Sequence, residues 1–209
     1  VLDAAMQCFW SKGYESTSLT DLVEATGLLK GSLYQAFGDK HSLFKQSLGL
    51  YLAKMRTTIR STLSESKRPV DGIRHAFHSV IDIADADSER PRGCMAINSL
   101  IELVPCDADV RSIMFEHRQH VQELFVDKLL AAQAAGDIDR RRDPEQIFAL
   151  LMTFVAGLAA TMKGPMSKKD AHAKRSKHKT YVEVITCSEL RDYRSSRHAF
   201  YAWVQCNYW

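Results

Sequence analysis

Residues 17–40 read TSLTDLVEATGLLKGSLYQAFGDK, a run in which helix-starting and helix-stopping residues alternate at short intervals. Ser18 is suited to cap a short helix. Asp21, three residues on, can return a bond to the cap while placing a negative charge in the positive first turn. Leu19, Leu22, Val23 and Thr26 follow at helical spacing, so one face is apolar. Gly27 stops the helix where a left-handed residue is usually needed. A second short helix is predicted from Leu29 to Phe37. Two short helices joined by a tight, Gly-containing turn make a helix-turn-helix, in which the second helix enters the major groove of DNA.

The faces of that second helix agree. At about 100° per residue, Leu33 and Phe37 fall on the side that packs inward, Gly31, Tyr34 and Gln35 lie opposite, and Ser32 is at the margin. Lys30 sits in the first turn, where a flexible cation reaches a phosphate, and Gly31 lets the backbone come close to DNA. Gln35 can donate and accept at a base edge, while Tyr34, Ser32 and Lys40 suit phosphates.

Together with Phe9, Lys12-Gly13-Tyr14, Thr17-Ser18-Leu19, Asp21-Leu22, Ala25-Thr26-Gly27, Lys30 to Tyr34, Phe37, Lys40 and Leu43-Phe44, this run resembles the DNA-binding domain of the TetR family of transcriptional repressors. Leu29 departs from the pattern, standing where the family commonly has Ser or Thr, and so weakens the cap of the reading helix. The resemblance implies an all-α fold, an N-terminal three-helix helix-turn-helix domain followed by a helical ligand-binding and dimerisation domain. It also implies a homodimeric repressor of a near-palindromic operator, released by a small-molecule inducer, and it adds Thr17 and Ser18 to the expected DNA contacts.

Composition is that of a soluble globular protein: 209 residues, 45% hydrophobic and 25% charged. No apolar run spans a bilayer and no basic-then-apolar leader opens the chain, so a cytoplasmic location is expected. The chain starts at Val1 without the basic arm usual in the family, so further N-terminal residues are expected upstream. The five cysteines, Cys8, Cys94, Cys106, Cys187 and Cys206, lack CxxC spacing, and each reads first as a small buried hydrophobe. Residues 163–209 hold ten Lys or Arg against four Asp or Glu, leaving the rest slightly acidic. The overall charge of +3 therefore says nothing of DNA binding.

In chain order, residues 1–13 read as a helix bracing the two reader helices, with Leu2, Ala5, Met6, Phe9 and Trp10 inward. Lys40 begins a long amphipathic helix through Leu63, and Pro69 opens another to about Asp87. After Pro91-Arg92-Gly93, a short helix runs to Pro105; its Gly93-Cys94 with Asn98 and Glu102-Leu103 resembles a sensor-domain signature of one branch of the family. Asp107 to Ala135 is a long helix. Asp143-Pro144-Glu145 opens the next, apolar nearly all round, which points to a subunit interface through Phe148, Leu151, Phe154, Val155 and Leu158. Beyond Pro165 the sustained stripe is lost and TYVEVIT is strand-like, so the tail reads as disordered or as not the native reading of the gene. The expected domains are 1–45 for the reader, 46–164 for the sensor and dimerisation domain, and 165–209 for the basic tail.

No catalytic constellation, phosphate loop or metal spacing is present, so neither an enzyme nor a cofactor is expected. The pairs His75/His78 and His117/His120 lack a completing ligand and read as solvated or satisfied. For the inducer, an apolar cavity is expected among Phe77, Ile81, Met95, Asn98, Ile101, His117 and Phe125, although plain core accounts for its apolar members as well. Asn98 stands out because a carboxamide on an apolar helix needs a partner. Two alternatives stand beside this: thiol chemistry at Cys94 or Cys106 in place of a reversible ligand, and a helical dimer that binds partners without DNA activity.

Overall fold

The computed structural model describes residues 1–84 and 92–162, and every regular element among them is an α-helix. In order these are α1 (Leu2–Lys12), α2 (Leu19–Thr26), α3 (Lys30–Phe37), α4 (Lys40–Glu65), α5 (Pro69–Ala84), α6 (Met95–Glu102), α7 (Ala108–Ala134) and α8 (Pro144–Met162). The tail from residue 163, with its strand-like stretch, and the expected end of α5 beyond Ala84 lie outside the described residues.

Short polar side chains set the helix starts. Ser18 Oγ accepts from the Asp21 amide at 3.1 Å and the Asp21 carboxylate accepts from the Ser18 amide at 2.7 Å, the full reciprocal cap predicted for α2. Asp39 accepts from the Ser42 amide at 2.6 Å, Asp107 from Val110 at 3.0 Å and Asp143 from Glu145 at 2.9 Å, capping α4, α7 and α8 in the same way. By contrast α3 begins on an apolar residue, as α1 does on Val1: Leu29 is extended at φ −66°, ψ 151° and makes no side-chain cap. Gly27 ends α2 in the left-handed region at φ 69°, as expected. The short helix α6 stops at Glu102 rather than running to Pro105, because Leu103 to Cys106 fold into a turn closed by the Cys106 amide on the Leu103 carbonyl.

The described residues fall into two compact units, with α4 and α7 divided between them and only the last residues of α5 and α8 assigned to the first. The first holds α1 to α3, α4 as far as Thr57, α6 and α7 as far as Val121. Its core is aromatic where α1 meets α4: Phe9 and Phe44 meet edge-on at 5.2 Å, Tyr14 stands on Phe44 at 4.9 Å, and Trp10 on Tyr51 at 5.0 Å. Leu22 and Leu33, each at most 3% exposed, pin α2 and α3 beneath. Each such buried apolar side chain contributes about 1.5–3 kcal/mol relative to exposure.

The second unit holds the end of α4, α5 to Asp82, the later part of α7 and α8 to Leu158. Phe77, Phe125 and Phe148 form a row at centroid separations of 5.4 and 5.9 Å, and Ile73, Leu129, Leu151 and Val155 of the same unit are buried as well. The buried Gln133 amide donates to the Asp139 and Arg142 carbonyls at 3.0 and 2.8 Å, folding the loop between α7 and α8 onto α7. Where α5 crosses the end of α4, Gly72 is buried, and a Cβ there would lie 2.7 Å from the Leu63 carbonyl oxygen. A backbone oxygen cannot swing aside as a flexible side chain would. Gly72→Ala is therefore expected to lower unfolding free energy by about 1–3 kcal/mol, despite the better helix propensity of Ala, as read from urea denaturation. Unchanged stability would refute this close approach.

Candidate nucleic-acid interface

The reading helix α3 presents the residues that sequence periodicity assigns to its outer side. Lys30, Gly31, Ser32, Tyr34 and Gln35 are all exposed, while Leu33 is 3% exposed and Phe37 half-buried. Lys30 Nζ lies 5.8 Å from the centre of the Tyr34 ring, so cation and ring share one patch one helical turn apart. Around Gly31 no other heavy atom stands within 4 Å of where a Cβ would be, which leaves its backbone open to a bulky partner. Leu29, at the entry to the helix, is 78% exposed, an apolar group of the kind that can meet a thymine methyl.

The other expected contacts behave differently. Thr17 is 1% exposed, and its hydroxyl donates to the Gly13 carbonyl at 2.5 Å; it locks the turn between α1 and α2 and does not face outward. Ser18 is at the surface, but its hydroxyl is engaged in the cap of α2. Lys40 points back to the α1–α2 turn, with Nζ 4.4 Å over the Tyr14 ring and 3.5 Å from the Glu15 carbonyl. Lys12, unassigned from sequence, pairs with Asp21 at 2.5 Å. That ammonium, followed by the Ser18 amide and hydroxyl, holds the Asp21 carboxyl down at about 2, so Asp21 keeps its charge and its capping role.

The residues expected around an inducer are Phe77, Ile81, Met95, Asn98, Ile101, His117 and Phe125. Phe77 and Phe125 are packed in the core of the second unit, whereas Met95, Asn98 and His117 belong to the first. Ile101 is 65% exposed, a correction to its expected place in an enclosed cavity. Ile81 lies in α5, and its side chain is outside the described set. Asn98 already has a partner: its amide donates to the Arg92 carbonyl at 3.0 Å. His117 is different, since it is buried and its Nδ1 meets no hydrogen-bond partner among the described residues. Burial first, then repulsion from Arg56 and His120, pushes its imidazole down to about 4.

Of the two candidate thiols, Cys94 is 3% exposed, accepts from the Tyr51 hydroxyl at 3.4 Å, and has its pKa raised by burial, the opposite of an activated nucleophile. Cys106 is exposed on the α6–α7 turn, its sulfur near the Leu103 and Glu102 carbonyls. The interface expected along α8 also needs correction. Phe148 and Leu151 are each 1% exposed and Val155 7%, so they face their own unit; Phe154 is half-buried, and the Leu158 side chain is outside the described set. The outward stripe of α8 is instead Ala149, Leu150, Thr153, Gly157 and Ala160.

An exposed short helix with a cation, a ring, a carboxamide and an open glycine on its outer side, braced by two further helices, defines a helix-turn-helix reader of duplex DNA. Comparison with known proteins agrees. The profile described as "Bacterial regulatory proteins, tetR family" matches residues 1–46, and that described as "Tetracyclin repressor-like, C-terminal domain" matches residues 69–178. The transcriptional repressor ComR of Escherichia coli is 30% identical over 163 residues, 78% of this chain and 77% of that protein. The regulator YezE of Bacillus subtilis, itself uncharacterized, is 30% identical over 169 residues, 78% of this chain and 87% of that one. A cysteine mutant of the TetR family regulator CifR, complexed with 26-bp double-strand operator DNA, is similar at TM-score 0.71 and 27% identity, over 86% of this chain and 93% of that chain. The chain belongs to the TetR family of transcriptional regulators.

His117 supplies a pH test. Its folded pKa lies below the ordinary imidazole value of 6.5, so between pH 6.5 and about 4 the unfolded chain binds the proton more readily. Stability is expected to fall as pH drops through that window and to level off below it. His117→Leu should flatten that part of the curve, as measured by urea unfolding at each pH; a wild-type curve with the same slope as the variant would contradict the assignment.

Proposed function

We propose that the chain is a homodimeric repressor, working in the cytoplasm, in which each α3 enters one major groove of an inverted-repeat operator and a small molecule releases it. The observation that carries this reading is the outer side of α3, where Lys30, Gly31, Tyr34 and Gln35 stand exposed beside Leu29. Lys30 and Tyr34 suit phosphates and give affinity without sequence preference, while Gln35 and Leu29 suit base edges. Release follows only if the inducer binds the molecule better when its two readers are held at the wrong separation. In the relative CifR, operator DNA is the bound partner, which supports the same use of this surface here.

Selection on random duplex DNA should enrich an inverted repeat. On the enriched duplex, Lys30→Ala should weaken binding to all sequences alike and lower the salt slope by about one, whereas Gln35→Ala should relax preference at one base pair. No enrichment, or variants that bind as the parent does, would reject the reader.

The dimer is proposed to form through the outward stripe of α8. Small side chains at Ala149, Gly157 and Ala160 let two helices approach closely, and Leu150 adds apolar area. Within one chain, space around Gly157 is open to 4 Å, so a larger side chain there has no internal clash. Gly157→Glu is expected to yield folded monomers in sedimentation velocity, with helical content retained; a dimer at unchanged concentration would place the interface elsewhere.

A further inference from the structure

Several polar connections of residues 92–102 run to α1 and the turn that follows it. The Trp10 indole donates to the Gly93 carbonyl at 2.8 Å, and the Arg92 guanidinium lies 4.2 Å over the same ring while donating to Gln7 at 2.6 Å. Asn98 holds the Arg92 carbonyl, which fixes the strap carrying those contacts. At the other end of α6, the Glu102 carboxylate accepts from two successive amides beyond α1: Oε2 from Tyr14 at 3.2 Å and Oε1 from Glu15 at 2.9 Å. Gly13 makes room for it. Its φ is 86°, and a Cβ on it would come within 3.2 Å of Oε2 and 3.4 Å of Oε1.

These amides sit in the turn that launches α2. The same turn is held by Thr17 on the Gly13 carbonyl and by Lys40 on the Glu15 carbonyl. A carboxylate that grips two adjacent peptide N–H groups fixes both the position and the tilt of a peptide plane, which a single contact cannot do. We infer that Glu102 is a positioning residue for operator reading: it mounts the α1–α2 turn on α6 and so helps to aim the reading helices.

The inference rests on the DNA-reading function, and the experiment separates the two. An operator is first selected from random duplex DNA with the unaltered full-length chain, and a second duplex is made with one base pair inserted between its half-sites. Glu102→Gln preserves size but presents an NH2 group to one of the two amides, and Glu102→Asp keeps the charge on a shorter arm. The expected result for Glu102→Gln is about tenfold weaker binding to the selected operator. Binding to non-specific duplex should be unchanged, and the preference for native over lengthened spacing should be reduced. Glu102→Asp should recover part of that preference. A spacing preference equal to that of the parent chain, even with lower thermal stability, would reduce Glu102 to a packing role and overturn the inference. Failure of the unaltered chain to select any sequence would instead remove the reader itself, and the inference with it.

Discussion

The first unit depends on how the chain turns between α1 and α2. Five residues, 13 to 17, must reverse direction there while carrying peptide groups that helix ends leave unpaired. The Gly13 amide goes to Phe9, the Gly13 carbonyl to Thr17, the Tyr14 and Glu15 amides to Glu102 and the Glu15 carbonyl to Lys40. The Tyr14 ring closes the turn from the other side, against Phe9 and Phe44. Because the turn sets where α2 starts, and α2 with α1 sets where α3 lies, the outer side of α3 inherits its orientation from these few bonds.

Charge is distributed to the same end. Several acidic groups of the first unit are engaged: Asp21 by Lys12 and the Ser18 cap, Asp39 by the Ser42 amide, and Asp109 by Lys45 at 2.6 Å, whereas Glu15 and Glu24 stand exposed. A carboxylate engaged with N–H donors or an ammonium presents less negative potential to an approaching polyanion than a free one. A slightly acidic domain can therefore still offer an attractive surface around Lys30, and overall isoelectric point is a poor guide to such a surface.

Much of this was legible in the sequence because it rests on local chemistry. Ser18, Asp21 and Gly27 announce α2 within ten residues, Asp143-Pro144 announces α8, and a period of 3.6 sorts Leu33 from Tyr34. What was not legible depends on distant partners. Thr17 looks like a surface hydroxyl until Gly13 is folded over it, and Asn98 looks short of a partner until the Arg92 carbonyl returns to it. In α8, apolar residues occur all round, so periodicity could not say that Phe148, Leu151 and Val155 turn inward and leave the small residues outside. Glu102 stands in a sensor-domain motif, but its task is invisible in the sequence because its partners are main-chain groups 87 and 88 positions away.

That last point shapes what mutation can do to the molecule over time. Peptide N–H groups are supplied by every residue type except proline, so Glu15, whose side chain is exposed, is free to drift without disturbing the grip on its amide. Gly13 and Glu102 have less freedom: at φ 86° a side chain at 13 is strained and presses within 3.2 Å of the carboxylate, and a shorter or neutral residue at 102 holds the two amides less well. The two positions therefore act as a pair, and a change at one is expected to lower the worth of the other.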